Sequence, residues 1–184
     1  MSTTSGAHTP STTSASAGNT ARQAWVVAPV PRSAIVLGKV MGGATMATLQ
    51  GLLLLPLAPL VGIPVSAPGL LLAVAAIFAV AFALTALGFL LAWSMESIQG
   101  FHGVVNLLLM PLGILSGAFF PVAGAADGLA VVMRLNPVTY GLAALRHALY
   151  ATPGVEPIDA GLAWAVTLGF AGVAFAAATW AARR

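Results

Sequence analysis

Long apolar runs alternate with short polar breaks along this chain. Four runs reach the roughly 20 residues that a helix, rising about 1.5 Å per residue, needs to cross a bilayer. They are Ala34–Leu60, Leu70–Trp93, Gly103–Val122 and Gly161–Ala182. The second, "LLLAVAAIFAVAFALTALGFLLAW", is interrupted by a polar side chain only at Thr85. The fourth is Ala-rich and uncharged, with Trp164 and Trp180 near its ends, where amphipathic rings settle at membrane interfaces. The pattern predicts an all-α, polytopic membrane bundle of about four transmembrane helices.

Between the third and fourth runs the pattern changes. The segment Ala123–Ala160 is too long for a hairpin and too apolar for a free loop. Its "LAVVMRLNPVTYGLAALRHALY" reads as helix broken at Asn136-Pro137, because Pro137 lacks an N–H and disfavours helix just before it. Two short helices are expected, near Gly124–Leu135 and Val138–Tyr150. Leu142, Leu145 and Leu149 fall on one face, which suits outer-face helices that lie in the interface or dip partway into the membrane. Full crossings are disfavoured, since each would bury Arg134 or Arg146. At the other end, residues 1–22 are rich in Ser, Thr and Ala without an apolar run and are expected to form a disordered tail. The membrane domain is then 23–184.

Composition agrees with the bilayer reading. Of 184 residues 59% are hydrophobic and 6% charged, against about 25% charged in soluble domains. There is no cysteine, which excludes disulfides, thiolate metal sites and a cysteine nucleophile. The net charge of +3 rests on scattered cations, so nucleic acid is not an expected partner. Arg22, Arg32 and Lys39 precede or open the first span, and Arg183 and Arg184 close the last. The positive-inside rule then puts both termini in the cytoplasm of a multi-pass protein of the plasma or inner membrane. Trp93–Gly103 becomes a cytoplasmic loop holding Glu96 and Gln99, in reach of water or of a cytoplasmic partner.

Few polar groups lie inside the spans. Lys39, Gly43, Met46 and Gln50 share a face of the first, with Thr45 and Thr48 flanking it. An intramembrane glutamine needs a partner. Gln50 is read either as an interhelical hydrogen-bonding group or as lining a substrate path, with Thr45 beside it. Asn106 and Pro111 mark either an irregular, path-lining third helix or one satisfied amide and a kink. Gly38-x-x-x-Gly42 and Gly113-x-x-x-Gly117 are read as close helix packing. No catalytic or metal-ligating set emerges, and no G-x-x-x-x-G-K-[ST] loop is present to cradle a nucleotide.

Three stretches resemble one family. "VAPVPRSAIVLGKVMGGATMATLQG" (Val27–Gly51), "SIQGFHGVVNLLLMPLGILSGAFFPV" (Ser97–Val122) and "LNPVTYGLAALRHALY" (Leu135–Tyr150) are similar, in order, to ABC-2 type exporter permeases. The L-S-G-x-F-F-P and N-P-x-T-Y-x-x-x-x-L-R elements carry the match. Drug and polysaccharide exporters look closest. The resemblance implies a six-span subunit, working as a homodimer or with a second permease subunit. It also implies a separate ABC ATP-binding subunit, which binds ATP and Mg, so that this chain itself holds no cofactor and is not an enzyme. It places Pro29, Pro31 and Arg32 at the end of the element that receives the ATPase stroke, and Glu96 and Gln99 on a second surface near it. Thr45, Gln50 and Asn106 become candidates for the translocation path. Two family spans expected before Val26 are replaced by the Ser/Thr tract, so the chain reads as the last four of six spans.

The expected function is ATP-driven export of an amphipathic drug-like or lipid- or polysaccharide-type molecule. The alternative is a truncated, non-transporting membrane protein that only assembles with a partner.

Overall fold

The structure, a computed structural model, describes residues 31–63, 66–119, 126–150 and 157–183. The expected tail lies outside them. All regular structure among the described residues is helical: α1 (Arg32–Leu54), α2 (Ala67–Trp93), α3 (Ile98–Gly113), α4 (Asp127–Leu135), α5 (Pro137–Leu149) and α6 (Ala160–Arg183). Two 3-10 turns, Leu55–Leu57 and Pro59–Val61, extend α1, and a π turn, Ile114–Ala118, extends α3. Four segments are long and apolar enough to span a membrane: Arg32–Val61, Ala67–Trp93, Ile98–Ala118 and Ala160–Arg183.

The central helix is α2, which packs against α1, α5 and α6. Its buried stripe is Gly69, Ala73, Ala76, Ala79, Ala83 and Ala86. A matching stripe runs along α6 through Ala163, Thr167, Ala171, Ala174, Ala178 and Ala182. Lipid tails are as apolar as leucine, so side-chain greasiness does not drive membrane helices together, whereas small side chains let backbones approach and gain dispersion contacts. That is why the core here is mostly alanine and the large aliphatics stay outside. Val36 and Val40 of α1 close one end of the core, with Phe82 and Phe175 beside them, ring centroids 5.6 Å apart.

Glycine works at other positions than expected. A Cβ on Gly43 would come 2.6 Å from Thr85 Cγ2, and one on Gly141 would collide with the Val80 side chain. Gly38, Gly42 and Gly113 meet nothing within 4 Å. The Gly38/Gly42 pair is therefore not a packing motif within this chain, because the buried face of α1 is the one carrying Val36, Val40, Ala44 and Thr48. Gly117 serves through its backbone, with φ of 88°, the left-handed conformation in which helices commonly end.

The turn after α2 is shorter than the expected loop. Ser97 Oγ accepts from Gly100 N–H at 3.2 Å, an N-cap that starts α3 at Ile98. Glu96 stays in the turn, whereas Gln99 lies in the first turn of α3 rather than in a loop. The N-cap serine three residues before a glycine N–H was a helix-start signal that the polar run obscured.

The segment Gly128–Leu135 and helix α5 are bent by 80° at Asn136. Near its C-terminal end α5 meets the start of α2, where a Cβ on Gly69 would lie 2.5 Å from the Ala148 carbonyl oxygen. Near its N-terminal end it meets Val80, the central residue of α2. Helix α5 thus runs beside the N-terminal half of α2, and with α4 it forms a bent pair, a broken span or a re-entrant hairpin.

Candidate functional site

Helix α3 has no buried residue along its length. It is held to the rest of the chain mainly at its broken end, where the π turn packs on α5. Pro111 lies inside the helix and Gly117 ends it. Such an end leaves carbonyls without helical donors, and inside a bilayer each unsatisfied carbonyl costs several kcal/mol.

Three side chains of one α5 face supply the donors. Asn136 Nδ2 donates to the Leu112 carbonyl at 2.7 Å. Thr139 Oγ1 donates to the Met133 carbonyl at 2.7 Å and lies 3.4 Å from that of Leu115. Arg146 Nη2 donates to the Gly117 carbonyl at 2.7 Å. Ser116 Oγ turns back onto the Gly113 carbonyl at 2.6 Å. Among the described residues no buried side-chain nitrogen or oxygen lacks a partner. The clamp also fixes the bend: Asn136 Oδ1 caps α5 by accepting from Val138 N–H at 2.9 Å, and Tyr140 OH donates to the Arg134 carbonyl at 2.8 Å.

Beside the clamp lies a cleft of about 260 Å³ between α2, α5 and the π turn, lined by Ala76, Val80, Ser116, Val138, Gly141 and Leu145 among others. Its walls are apolar apart from Ser116, whose hydroxyl is engaged.

Of the residues expected at a coupling surface, Pro29 lies outside the described residues and Pro31 is exposed. Arg32 opens α1, and its Nη1 donates to the Ala182 carbonyl at the end of α6, 3.0 Å away. Glu96 and Gln99 are exposed. The path candidates Thr45, Gln50 and Asn106 are exposed too, and the structure does not bring them together. Thr45 Oγ1 donates to the Met41 carbonyl of its own helix at 2.7 Å. By helix rise Asn106 lies about 12 Å from the start of α3, and Thr45 and Gln50 about 20 and 27 Å from the start of α1. Gln50 makes no interhelical hydrogen bond among the described residues.

Asn136, Thr139 and Arg146 were present in the quoted N-P-x-T-Y-x-x-x-x-L-R element, yet their role is invisible without the broken helix they serve. The available signal was their spacing, which puts three donors on one face of an otherwise apolar helix.

Residues 12–150 match the profile of the ABC-2 type transporter family. No curated protein and no solved structure matches the chain.

Proposed function

The chain belongs to the ABC-2 type transporter family, a membrane permease of an ABC transporter, and from that premise we propose that it moves an amphipathic or lipid-linked molecule outward. The energy comes from ATP hydrolysed by a separate subunit docked at the end that carries Arg32, Glu96 and Gln99. Helices α1, α2, α5 and α6 form the static body. Helix α3 is the moving wall.

The observation that carries this reading is the state of α3. It is a membrane-length helix with no buried residue, tied to the body through the clamp at its far end. Its exposed face holds Gln99, Gly103, Asn106 and Met110 at helical spacing. An exposed amide within a span is unfavourable against lipid and favourable against water, substrate or a second permease subunit. A wall that must open has to be lightly packed, since packed cores resist continuous deformation. Thr45 and Gln50 of α1 are assigned to the same path at other depths.

The test is transport into inside-out vesicles carrying this chain and its cognate ATP-binding subunit. Uptake of an amphipathic dye that requires ATP and is abolished by Asn106→Leu supports the reading. Stable assembly of the two subunits without ATP-dependent uptake of any amphiphile defeats it and leaves an assembly role.

A further inference from the structure

Helix α3 changes character at Pro111. In the stretch before it, residues 98–110, only Phe101, Val104, Val105 and Leu109 are half-buried, and the other side chains are exposed. Among the described residues no side chain of this stretch hydrogen-bonds to another helix. Beyond the proline the picture reverses. Ser116 and Gly117 are buried. The carbonyls that the clamp reaches, those of Leu112, Leu115 and Gly117, all lie on this side. The grip of α5 on α3 therefore starts at the residue after the proline.

The backbone is weakest at the same place. Pro111 has no N–H to donate to the Leu107 carbonyl four residues back, and its ring crowds that carbonyl. The regular ladder does not resume past it. Ile114 N–H is shared between the carbonyls of Met110 and Pro111, and the π turn Ile114–Ala118 follows at once. Sharp helix bends arise at prolines and at π bulges, and here the two adjoin. A helix that has lost one rung bends about that point most easily, because its other rungs stay intact.

We propose that Pro111 is a hinge on which residues 98–110 swing as an arm, while residues 112–118 stay fixed in the clamp. This rests on the permease reading, in which α3 is the moving wall, and names the part of α3 that moves. Asn136 and Arg146 are positioning residues. They hold the fixed side of the hinge, so that a push at the Glu96 turn becomes rotation of the arm rather than displacement of the whole helix. No buried side chain has to leave a packed core when the arm swings. Gln99, near the far end of the arm, is about 18 Å from Pro111 along the helix, and His102 is about 13 Å from it. A bend of about 20° at the proline then carries His102 through about 5 Å.

The test measures two distances in the full chain assembled with its ATP-binding subunit in lipid nanodiscs. The chain has no cysteine, so spin labels on introduced cysteine pairs report chosen positions. Both pairs share Val173, 68% exposed on α6. One pair reaches His102 on the arm, and the other reaches Ile114, 38% exposed and beyond the hinge. Labelled chain is diluted with unlabelled chain so that each complex holds one pair. Pulsed electron spin resonance reads both distances before and after trapping with ATP and vanadate. The His102 distance should shift by about 5 Å, and the Ile114 distance should stay the same. Pro111→Ala, which restores the missing rung, should remove most of the shift without lowering the melting temperature. If that variant does not fold, the two distances in the unaltered chain decide alone. Equal shifts at both positions overturn the proposal, because α3 then moves whole. A His102 shift that survives Pro111→Ala, or no His102 shift in the unaltered chain, overturns it too. ATP-dependent dye uptake is read separately on the same complexes in vesicles. A His102 shift without uptake upholds the hinge and sinks the permease reading, whereas uptake without a shift sinks the hinge alone.

Discussion

Asn136 uses both ends of its amide at once: Nδ2 donates to the Leu112 carbonyl of α3 at 2.7 Å, and Oδ1 caps α5 at Val138 N–H, 2.9 Å away. It is 6% exposed. One side chain thus starts α5 and ties it to the broken end of α3.

The two roles separate by substitution. Asn136→Ala loses the cap, worth about 1 kcal/mol, and leaves a buried carbonyl unpaired, at about 1–3 kcal/mol more. Asn136→Ser keeps a capping oxygen but cannot span to Leu112. Melting temperatures in mild detergent should fall in the order Asn, Ser, Ala. A serine variant as weak as alanine would show that the cap contributes nothing here.

Gly141 is one of the points where α5 packs tightly on α2. Gly141→Val should destabilise the chain by about 1–3 kcal/mol, the usual cost of overpacking, because the added Cβ meets the stiff Val80 side chain. Val80→Ala in the same chain should restore much of the loss. Gly42→Ala is the control. Nothing lies within 4 Å of that position, and alanine in a helix interior is favoured over glycine by up to about 1 kcal/mol. The measurement is thermal unfolding of the three variants beside the unaltered chain.

Arg32 and Glu96 lie at one end of the bundle but are bound differently. The Arg32 guanidinium donates to the Ala182 carbonyl in the last turn of α6, where a cation offsets the negative end of the helix dipole. Arg32→Glu should therefore lower the melting temperature slightly, an effect on the order of 0.5–1 kcal/mol. Glu96→Lys, in an exposed turn, should leave it unchanged. Both should weaken retention of the ATP-binding subunit in a pull-down if this end is the coupling surface. Undiminished retention by both variants would remove that assignment.

Because the chain has no cysteine, single cysteines report their own positions. Cysteines at Gln99, Gly103, Asn106 and Met110 should react with a membrane-impermeant maleimide in vesicles. Cysteines at Leu107 and Leu108 should react far more slowly. Uniform reactivity along α3 would mean that no face of this helix lines water, and Asn106 would lose its place in the path.

Much of the architecture was legible along the chain. Long apolar runs specify spanning helices because water is absent over a fixed thickness and each backbone group must be satisfied within its own segment. The break at Asn136-Pro137 was readable because proline acts locally. The start of α3 was misread because a short polar run resembles a loop until the Ser97 cap is seen. The glycine pairs misled for a different reason: a small residue permits close approach, but which helix comes close is not written in the spacing. Gly38 and Gly42 face outward, while Gly43 and Gly141 carry the contacts.

What the sequence determined by itself is therefore a helical membrane protein, its spans and its bend, all consequences of apolar length and backbone chemistry within one segment. What only the tertiary structure decided is which groups complete one another. Asn136 and Arg146 reach carbonyls 24 and 29 positions away, and those carbonyls need donors only because α3 ends there in a left-handed glycine.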